Sequence, residues 1–297
     1  MSDSEIQSLT LDNKKTWPGL SGGFLKVLLS TVRDTALQTM EQWIVKFGDA
    51  DRPTIVIIEF FGMRLAKAFG LDVPQVVLAG EASRLMVRRF DLTAEGDPLA
   101  FEDMCALQEA NAADKFSSSA ESVVKTIERF CSPDTRASSL EAFFCQYLLA
   151  AVIRNGDAHL KNFGLLHGDN WLAALSPVYD MLSMAVYAPR TSNGDAYDGM
   201  ALTLAGARRW PTSDAIAQLG VRCAVPLQQQ AHWRDRLRHA LMGVGTDVVE
   251  FSTQAPRSIS SRRALKRMLE LWSHGAALLD TKTQCEMMKL AVSIRID

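Results

Sequence analysis

Ten consecutive residues are the strongest indication of the fold of this chain: Arg154-Asn155-Gly156-Asp157-Ala158-His159-Leu160-Lys161-Asn162-Phe163. Asp157 and Asn162 stand five residues apart in it. Phosphoryl transfer needs a carboxylate that accepts the proton of the attacking hydroxyl, and an asparagine oxygen that helps to bind magnesium beside the phosphates. A D-x-x-x-x-N pattern also occurs by chance in many proteins, and Asp157 could simply cap a turn. The neighbouring sequence has to discriminate between these two interpretations.

Regular elements surround this loop on both sides. The apolar run Ser139–Ile153 before it predicts a buried helix. The segments Leu165–His167 and Trp171–Leu175 after it predict a hairpin with its turn at Gly168-Asp169-Asn170. Asp180 follows, eighteen residues past the asparagine of the loop. Helix, D-x-x-x-x-N loop, hairpin and aspartate is the order in which protein-kinase-like folds present a catalytic base and two magnesium ligands.

The first third of the chain is predicted as short strands around one helix. Strands are expected at Phe24–Leu29, Trp43–Phe47, Val76–Leu78 and Arg84–Phe90, and the helix at Ile57–Phe69. The glycines before the first strand and a lysine in the second are the features of this region that bear on chemistry.

The turn at Gly22-Gly23 can expose backbone N–H groups to phosphate oxygens, although an ordinary hairpin turn has the same sequence signature. Lys46 stands among apolar strand residues, where a cation is costly to bury unless it pairs with a phosphate or a carboxylate. On an edge strand it would simply reach solvent. Taken in order, glycine turn, strand lysine, helix, D-x-x-x-x-N loop and aspartate make up the parts of a bilobal kinase.

The remaining sequence is predicted to be mainly helical. Helices are expected at Glu102–Ala110 and Glu121–Phe130, and again from Asp180 to the end of the sequence. The prediction is an α+β, bilobal, protein-kinase-like fold. Residues 1–98 would form a small, mainly β N-lobe with the glycine loop and the lysine. Residues 99–297 would form a larger helical C-lobe with the catalytic loop and the metal-binding aspartate.

Composition and charge exclude several classes of protein. Hydrophobic residues make up 47% and charged residues 22% of the 297 residues, which rules out collagen-like and disordered chains. Because 32 basic residues balance 34 acidic ones, the chain offers no general attraction for nucleic acid. Five cysteines without C-x-x-C spacing indicate no disulfide framework. The polar segment Met1–Lys15 and a longest apolar run of 12 residues, Ala142–Ile153, predict a cytoplasmic protein without a membrane span.

Five segments resemble the C-terminal kinase region of the HipA family of serine/threonine kinases, the toxin components of bacterial toxin–antitoxin modules. They are Glu59–Pro74, Val87–Asp91, Glu102–Phe116, Asn155–Phe163 and Leu175–Leu182, within a match that runs in register from about Leu20 to Met184. The N-x-D-x-H-x-K-N loop is highly specific to that family. The last hundred or so residues are similar to it only in being helical.

The resemblance implies a role for each matching residue. Asp157 would be the catalytic base, and Asn162 and Asp180 would bind magnesium. Lys46 would contact the phosphates of ATP, covered by a loop of Ser21, Gly22, Gly23, Phe24, Leu25 and Lys26. The backbone of a hinge would meet adenine, and further side chains would line the site: Arg88, Arg89 and Phe90 in the hinge, and His159, Lys161 and Tyr179 in the lining.

Lys161 admits two interpretations. Beside the catalytic aspartate it is well placed to stabilise the transferring phosphoryl group. The alternative is a structural ion pair with Asp157.

The sequence departs from the family pattern in the loop, in the residue just before it and in the length of the segment ahead of it. The family loop commonly reads G-A-Q-x-K, whereas this chain has Gly22-Gly23-Phe24-Leu25-Lys26. Longer members autophosphorylate a serine just before this loop, where Gly19 stands in this chain, and Ser21 is the nearest candidate phosphosite. Larger members also carry a longer segment ahead of the loop than the roughly twenty residues present here. The chain resembles short kinases whose N-terminal subdomain is a separate small protein.

The resemblance predicts a serine/threonine protein kinase toxin that uses ATP and Mg²⁺. Its target would belong to the translation machinery, with an aminoacyl-tRNA synthetase as the leading candidate. Its partners would be a cognate helix-turn-helix DNA-binding antitoxin and a small separate protein that supplies the N-terminal subdomain. Two alternatives stay open: a catalytically weak pseudokinase that acts as a binding or regulatory module, and a kinase of small molecules.

Two groups of residues in the last third carry less information. The basic clusters could be solvated helix faces or a dock for tRNA or a tRNA-bound synthetase; they are Arg208-Arg209, Arg234 with Arg236 and Arg238, and Arg262-Arg263 with Lys266-Arg267. The histidines lack cysteines or acidic pairs at zinc-ligand spacing, so packing or surface roles are expected for His232, His239 and His274.

Overall fold

The computed structural model describes residues 26–34, 39–168, 172–190, 199–254 and 258–296, with the backbone alone for 31–34, 39 and 40. The N-lobe consists of β1 (Lys26–Asp34), β2 (Thr39–Phe47), α1 (Ile55–Phe69), β3 (Val76–Ala79) and β4 (Arg84–Arg88). The C-lobe begins with β5 (Phe101–Asp103), α2 (Met104–Leu107), α3 (Ala120–Phe130), α4 (Pro133–Val152), β6 (Gly164–His167) and β7 (Ala173–Leu175). It continues with α5 (Ser213–Arg222), α6 (Leu227–Thr253), α7 (Ile259–Ala276) and α8 (Thr281–Ser293). This architecture confirms the predicted α+β fold, with a small β-rich lobe and a larger helical one.

The N-lobe sheet is antiparallel, with strand order β1-β2-β4-β3. Its register sets Lys26 of β1 directly opposite Lys46 of β2. Like charges at opposed positions destabilise a strand pair. The sheet therefore needs an acidic group beside this pair, and the acid comes from elsewhere in the fold.

Helix α1 packs against this sheet and carries one buried acid. Its apolar side chains Ile58, Phe61 and Leu65 are fully buried, as the helical spacing predicts. Glu59 lies among them and is also buried. The helix ends at Gly70, whose φ of 104° lets its backbone N–H bond to the carbonyl oxygen of Lys67.

Helix α4 runs through the centre of the C-lobe and ends just before the predicted catalytic loop. Helix α7 crosses its last turn so closely that a Cβ atom on Gly275 would overlap the carbonyl oxygen of Val152. Nearby on α7, the indole Nε1 of Trp272 donates a 2.7 Å hydrogen bond to Ser183 Oγ. The start of the loop is thus held by buried packing rather than by solvent-exposed contacts.

The predicted helix over Glu102–Ala110 is wrong. Residues Phe101–Asp103 form β5 instead, because they pair with β6 in the register Glu102↔Leu165. Asp103 then caps the one-turn helix α2 by accepting a 2.9 Å hydrogen bond from Ala106 N. Tertiary strand pairing overrides the local helical pattern.

Two further boundaries differ from the expectation. Helix α4 starts at Pro133 rather than Ser139, since proline is suited to the first turn of a helix. The described residues just after Asp180 contain only a 3₁₀ turn at Met184–Tyr187, and α-helix resumes at Ser213. The expectation of helix directly after Asp180 is therefore wrong. The predicted hairpin is present as β6 and β7, but Asp169, Asn170 and Trp171 lie outside the described residues.

Two expectations from composition can be compared with the fold. No helix within the described ranges is long and apolar enough to cross a lipid bilayer. The five cysteines are all free, and four of them are buried. The lobe boundary at residue 98 stays a prediction; a backbone bridge between Leu92 and Pro98 closes the connector there.

Candidate active site

A pocket between the lobes collects seven of the residues predicted from sequence. It is lined by Lys26, Lys46, Phe47, Ile55, Val56 and Glu59 of the N-lobe and by Ala112, Lys115, Asp157, His159, Lys161, Asn162, Asp180, Leu182 and Met184 of the C-lobe. Among the described residues, four predicted site residues do not line it: Arg88, Arg89, Phe90 and Tyr179. The remaining five, Ser21, Gly22, Gly23, Phe24 and Leu25, lie outside the described residues.

Lys46 joins the two lobes at the centre of this pocket. Its Nζ atom donates hydrogen bonds to Glu59 Oε1 on α1 and to Asp180 Oδ1 in the C-lobe. Lys26 Nζ lies 3.8 Å from the other carboxylate oxygen of Asp180. Asp180 therefore supplies the negative charge that the opposed lysines of β1 and β2 require.

Glu59 and Asp180 share the charge of Lys46, and their pKa values move in opposite directions. Burial raises the pKa of Glu59, and Lys46 only partly offsets this. Burial also tends to raise the pKa of Asp180, but the charges of Lys46 and Lys26 outweigh it and lower the pKa to about 2. Asp180 is therefore ionised at any physiological pH.

Asn155 connects Asp157 to Asp180. Its Oδ1 accepts a 3.2 Å hydrogen bond from Asp157 N, and its Nδ2 lies 3.5 Å from the carbonyl oxygen of Asp180. Asp180 has φ 52°, a left-handed conformation that costs a non-glycine residue about 1 kcal/mol and needs such support. Asn155 is the first residue of the N-x-D-x-H-x-K-N motif, and sequence reasoning assigned it no role.

Lys161 pairs with Asp103, at a distance of 2.9 Å. The predicted alternative, an ion pair with Asp157, is not the contact that the structure shows for Lys161. Asp103 reaches it from the end of β5, the strand that sequence reasoning replaced by a helix. Tyr179 Oη donates a 2.9 Å hydrogen bond to the carbonyl oxygen of Lys161. Tyr179 thus supports the backbone of the predicted catalytic loop without lining the pocket.

The predicted hinge lies at the end of β4. The backbone N–H groups of Arg88 and Arg89 donate to the carbonyl oxygens of Gln75 and Gln42, both at 2.9 Å. The guanidinium of Arg89 pairs with Asp91 at 2.7 Å. Two backbone donors of the hinge are therefore used within the protein, and contact of this segment with adenine stays a prediction.

A cluster of three aromatic rings includes Phe90 of the hinge. Phe90 packs against Tyr179 and Phe101, with ring centroids 5.7 Å apart in each pair. This cluster holds the hinge against the C-lobe.

Comparison with known proteins identifies the family from the sequence of the chain. The sequence model of the HipA-like C-terminal domain matches residues 19–249. The chain belongs to this family. The match runs well beyond Met184, so the HipA-like domain includes α5 and most of α6, where sequence reasoning found only helical character.

Curated relatives of this HipA-like chain carry kinase names. "Putative kinase Y4dM" of Sinorhizobium fredii is 30% identical over 159 residues, which is 49% of this chain and 38% of the relative. "Putative kinase" of Haemophilus influenzae is 26% identical over 203 residues, which is 62% of this chain and 58% of the relative. The chain thus spans between about two fifths and three fifths of the length of these relatives.

Two solved structures share the fold of the HipA-like chain. One is HipA of Shewanella oneidensis in a toxin–antitoxin complex with HipB and operator DNA, with a TM-score of 0.57 and 16% identity over 98% of this chain and 70% of that one. The other is the proinflammatory kinase CtkA of Helicobacter pylori, with a TM-score of 0.51 and 14% identity over 87% of this chain and 94% of that one. At these identities the likeness concerns the fold alone.

The donor set of the HipA-like pocket suits a hard divalent cation. Asp180 offers a carboxylate and Asn162 an amide oxygen, the ligand types that magnesium prefers. Asn162 Oδ1 also accepts a 3.1 Å hydrogen bond from His159 N, which holds it in the loop. In the described part of the chain, no cluster of three or more His, Cys, Asp or Glu residues could hold a metal. The oxygen donors of Asp180 and Asn162 are thus of the kind that fits magnesium.

The middle one of the three basic clusters that the sequence suggested as a dock has structural contacts. Arg234 donates a 2.7 Å hydrogen bond to the carbonyl oxygen of Leu278, and Arg238 Nε lies 2.5 Å from Asp280 Oδ2. The guanidinium of Arg236 lies over the ring of Trp233 at 4.8 Å. Arg234 and Arg238 therefore tie α6 to the segment between α7 and α8, whereas Arg236 packs on a ring of its own helix.

The folded protein is expected to lose stability between pH 7 and pH 5 because of His159. Burial and the charge of Lys115 lower the pKa of this imidazole from 6.5 to about 4. As the pH falls, the unfolded chain therefore binds the proton first. The stabilisation is complete above about pH 6.5 and decreases from there towards pH 4, by about 2 kcal/mol between pH 7 and pH 5. Urea unfolding at a series of pH values measures it.

The variant His159→Gln should remove this part of the pH dependence. His239→Gln is the matched control, because His239 is exposed on α6 and its substitution should leave the slope unchanged. A slope for His159→Gln equal to that of the wild type would contradict the prediction.

Proposed function

We propose that this chain is an ATP-dependent kinase that phosphorylates serine or threonine hydroxyls of a protein. The observation that carries the proposal is a single pocket that contains both Asp157 and the Lys46–Glu59–Asp180 cluster. A lysine between a helix glutamate and a metal-binding aspartate is the arrangement that protein kinases use to hold ATP phosphates. The kinase names of the curated relatives support the same activity.

In the proposed reaction, the hydroxyl oxygen forms a bond to the γ-phosphorus and the bond to the β–γ bridging oxygen breaks, so that ADP leaves. Asp157 accepts the hydroxyl proton; its side chain is 39% exposed and can be reached from the pocket mouth. Lys46 and Lys26 neutralise phosphate oxygens. Asp180 and Asn162 would hold Mg²⁺, which when bound supplies further neutralisation of the phosphate charge.

We further propose that the kinase acts as the toxin of a toxin–antitoxin module. Support comes from the family resemblance and from the shared fold with Shewanella HipA, whose solved complex contains HipB and operator DNA. The partner would be a helix-turn-helix antitoxin, and the target a translation component such as an aminoacyl-tRNA synthetase. Induced expression of the wild type should then arrest bacterial growth, whereas Asp157→Ala should not.

The proposal is tested by incubating the purified chain with magnesium and either γ-labelled or α-labelled ATP, with and without bacterial extract. Label from γ-labelled ATP should appear on the chain or on an extract protein, and α-labelled ATP should give none. Asp157→Ala, purified in parallel, controls for a contaminating kinase. Mass spectrometry of the labelled protein then identifies the substrate.

Other outcomes decide against the proposal. Nucleotide binding without label from either ATP would favour a pseudokinase that acts as a binding module. Label on a free metabolite but on no protein would favour a small-molecule kinase.

A further inference from the structure

Lys115 differs from the other three lysines that line the pocket. Lys46 pairs with Glu59 and Asp180, Lys26 with Asp180, and Lys161 with Asp103. The Lys115 ammonium lies over the ring of Phe116, 4.9 Å from its centroid, and forms no ion pair with any described residue. Of the four cations, it is the one available to a negatively charged ligand without breaking an existing pair.

The backbone around Lys115 is held against the catalytic loop. Its carbonyl oxygen accepts a 3.2 Å hydrogen bond from Leu160 N, three residues beyond Asp157. The ring of the next residue, Phe116, packs edge-on against the ring of His159, with centroids 5.0 Å apart. The carbonyl oxygen of Phe116 accepts a hydrogen bond from Arg208. The backbone of Lys115 is therefore fixed relative to the loop, and its side chain is part of the pocket lining.

The lysines approach the pocket from two directions. Lys26 and Lys46 extend from the N-lobe sheet towards Asp180, as the phosphates of a bound nucleotide would require. Lys115 extends from the C-lobe, beside the loop that carries Asp157. In the proposed reaction, the phosphoryl group leaves the side of the pocket that holds Lys26 and Lys46 and moves towards Asp157, the side on which Lys115 lies.

We propose that Lys115 is a further catalytic residue, which contacts the phosphoryl group during its transfer to the hydroxyl held by Asp157. This inference rests on the proposed kinase function. A preorganised positive charge at that point stabilises the transition state more than the bound ATP, because the phosphoryl group reaches it only during the transfer. Loss of Lys115 should therefore lower kcat and leave nucleotide affinity nearly unchanged.

The test compares Lys115→Met and Lys115→Arg with the wild type and with Lys125→Met. Lys125 is an exposed lysine of α3 outside the pocket, so Lys125→Met controls for loss of one positive charge. The measurements are kcat for phosphorylation, the Kd of Mg-ATP by calorimetry, and the thermal midpoint. Lys115→Met should lower kcat about tenfold to a hundredfold, with Kd within threefold and an unchanged midpoint. Lys115→Arg should retain more activity, because it keeps the charge.

Three results would overturn the inference. The first is a kcat of Lys115→Met within twofold of Lys125→Met. The second is a Kd that weakens in parallel with kcat, which would make Lys115 a ground-state nucleotide ligand. The third is an equal loss in Met and Arg variants, which would show that shape and not charge matters. If the wild type itself transfers no phosphate, the proposed function fails, and this is seen before any Lys115 variant is compared.

Discussion

Asp157→Asn should lower the rate of phosphoryl transfer by about a hundredfold to ten thousandfold, the range typical of losing a general base. Asparagine has the shape of aspartate, but its amide cannot accept the hydroxyl proton. The backbone N–H of residue 157 would still donate to Asn155 Oδ1, so the loop should keep its conformation. Mg-ATP affinity should stay within about threefold. The predicted contacts of Mg-ATP are the pocket lysines and the magnesium ligands, and Asp157 is not among them. Single-turnover kinetics and calorimetry measure the two quantities.

Asp157→Ala serves as the second variant in this comparison. It removes the carboxylate and also its hydrogen-bonding capacity, and its rate should be no higher than that of Asp157→Asn. Retention of more than a tenth of the wild-type rate by Asp157→Asn would show that Asp157 is not the base. A parallel loss of Mg-ATP affinity would instead place Asp157 among the nucleotide ligands.

Gly62→Ala should remove most activity through packing alone. Gly62 lies one turn after Glu59 on α1, and a Cβ atom there would overlap the carbonyl oxygen of Met181, the residue after Asp180. Either α1 or the Asp180 segment has to shift, which separates Glu59 from Asp180 around Lys46. We expect about a hundredfold loss of turnover, since displacements near 1 Å can cost that much. Overpacking should also cost about 1–3 kcal/mol of unfolding free energy.

Gly243→Ala is the matched control for this substitution. Gly243 lies on the exposed side of α6, where a Cβ atom would meet nothing within 4 Å beyond the adjacent backbone of its own helix. The substitution should therefore raise the unfolding free energy by about 0.5–1 kcal/mol, the helix propensity difference between glycine and alanine. Turnover should not change. Wild-type stability and activity in Gly62→Ala would show that the contact between α1 and the Asp180 segment does not position the cluster.

Sequence reasoning reached the central part of the site because its chemistry is local. Asp157, His159, Lys161 and Asn162 lie within six consecutive residues, so their spacing alone brings them to one loop. The helix before the loop and the hairpin after it also have strong local patterns, and both are present. Asp180 could be added because the hairpin returns the chain to the loop.

The partners of these residues were not visible in the sequence. Glu59 is a single acid in an apolar helix, a pattern that signals a buried partner but does not name it. Asp103 was placed in a helix, and its contact with Lys161 depends on the pairing of β5 with β6. Lys115 carries no sequence signal beyond its place in a family motif.

The sequence alone was enough to predict the order of the lobes, the loop that would carry the base, and the family to which the chain belongs. Which charges meet depends on the folded chain: Lys46 pairs with Glu59 and Asp180, Lys161 pairs with Asp103, and Lys115 pairs with no carboxylate among the described residues. Residue spacing sets which groups can share one turn or strand. Contacts between groups distant in the chain depend on strand register and on the close packing of helices, which local patterns do not encode.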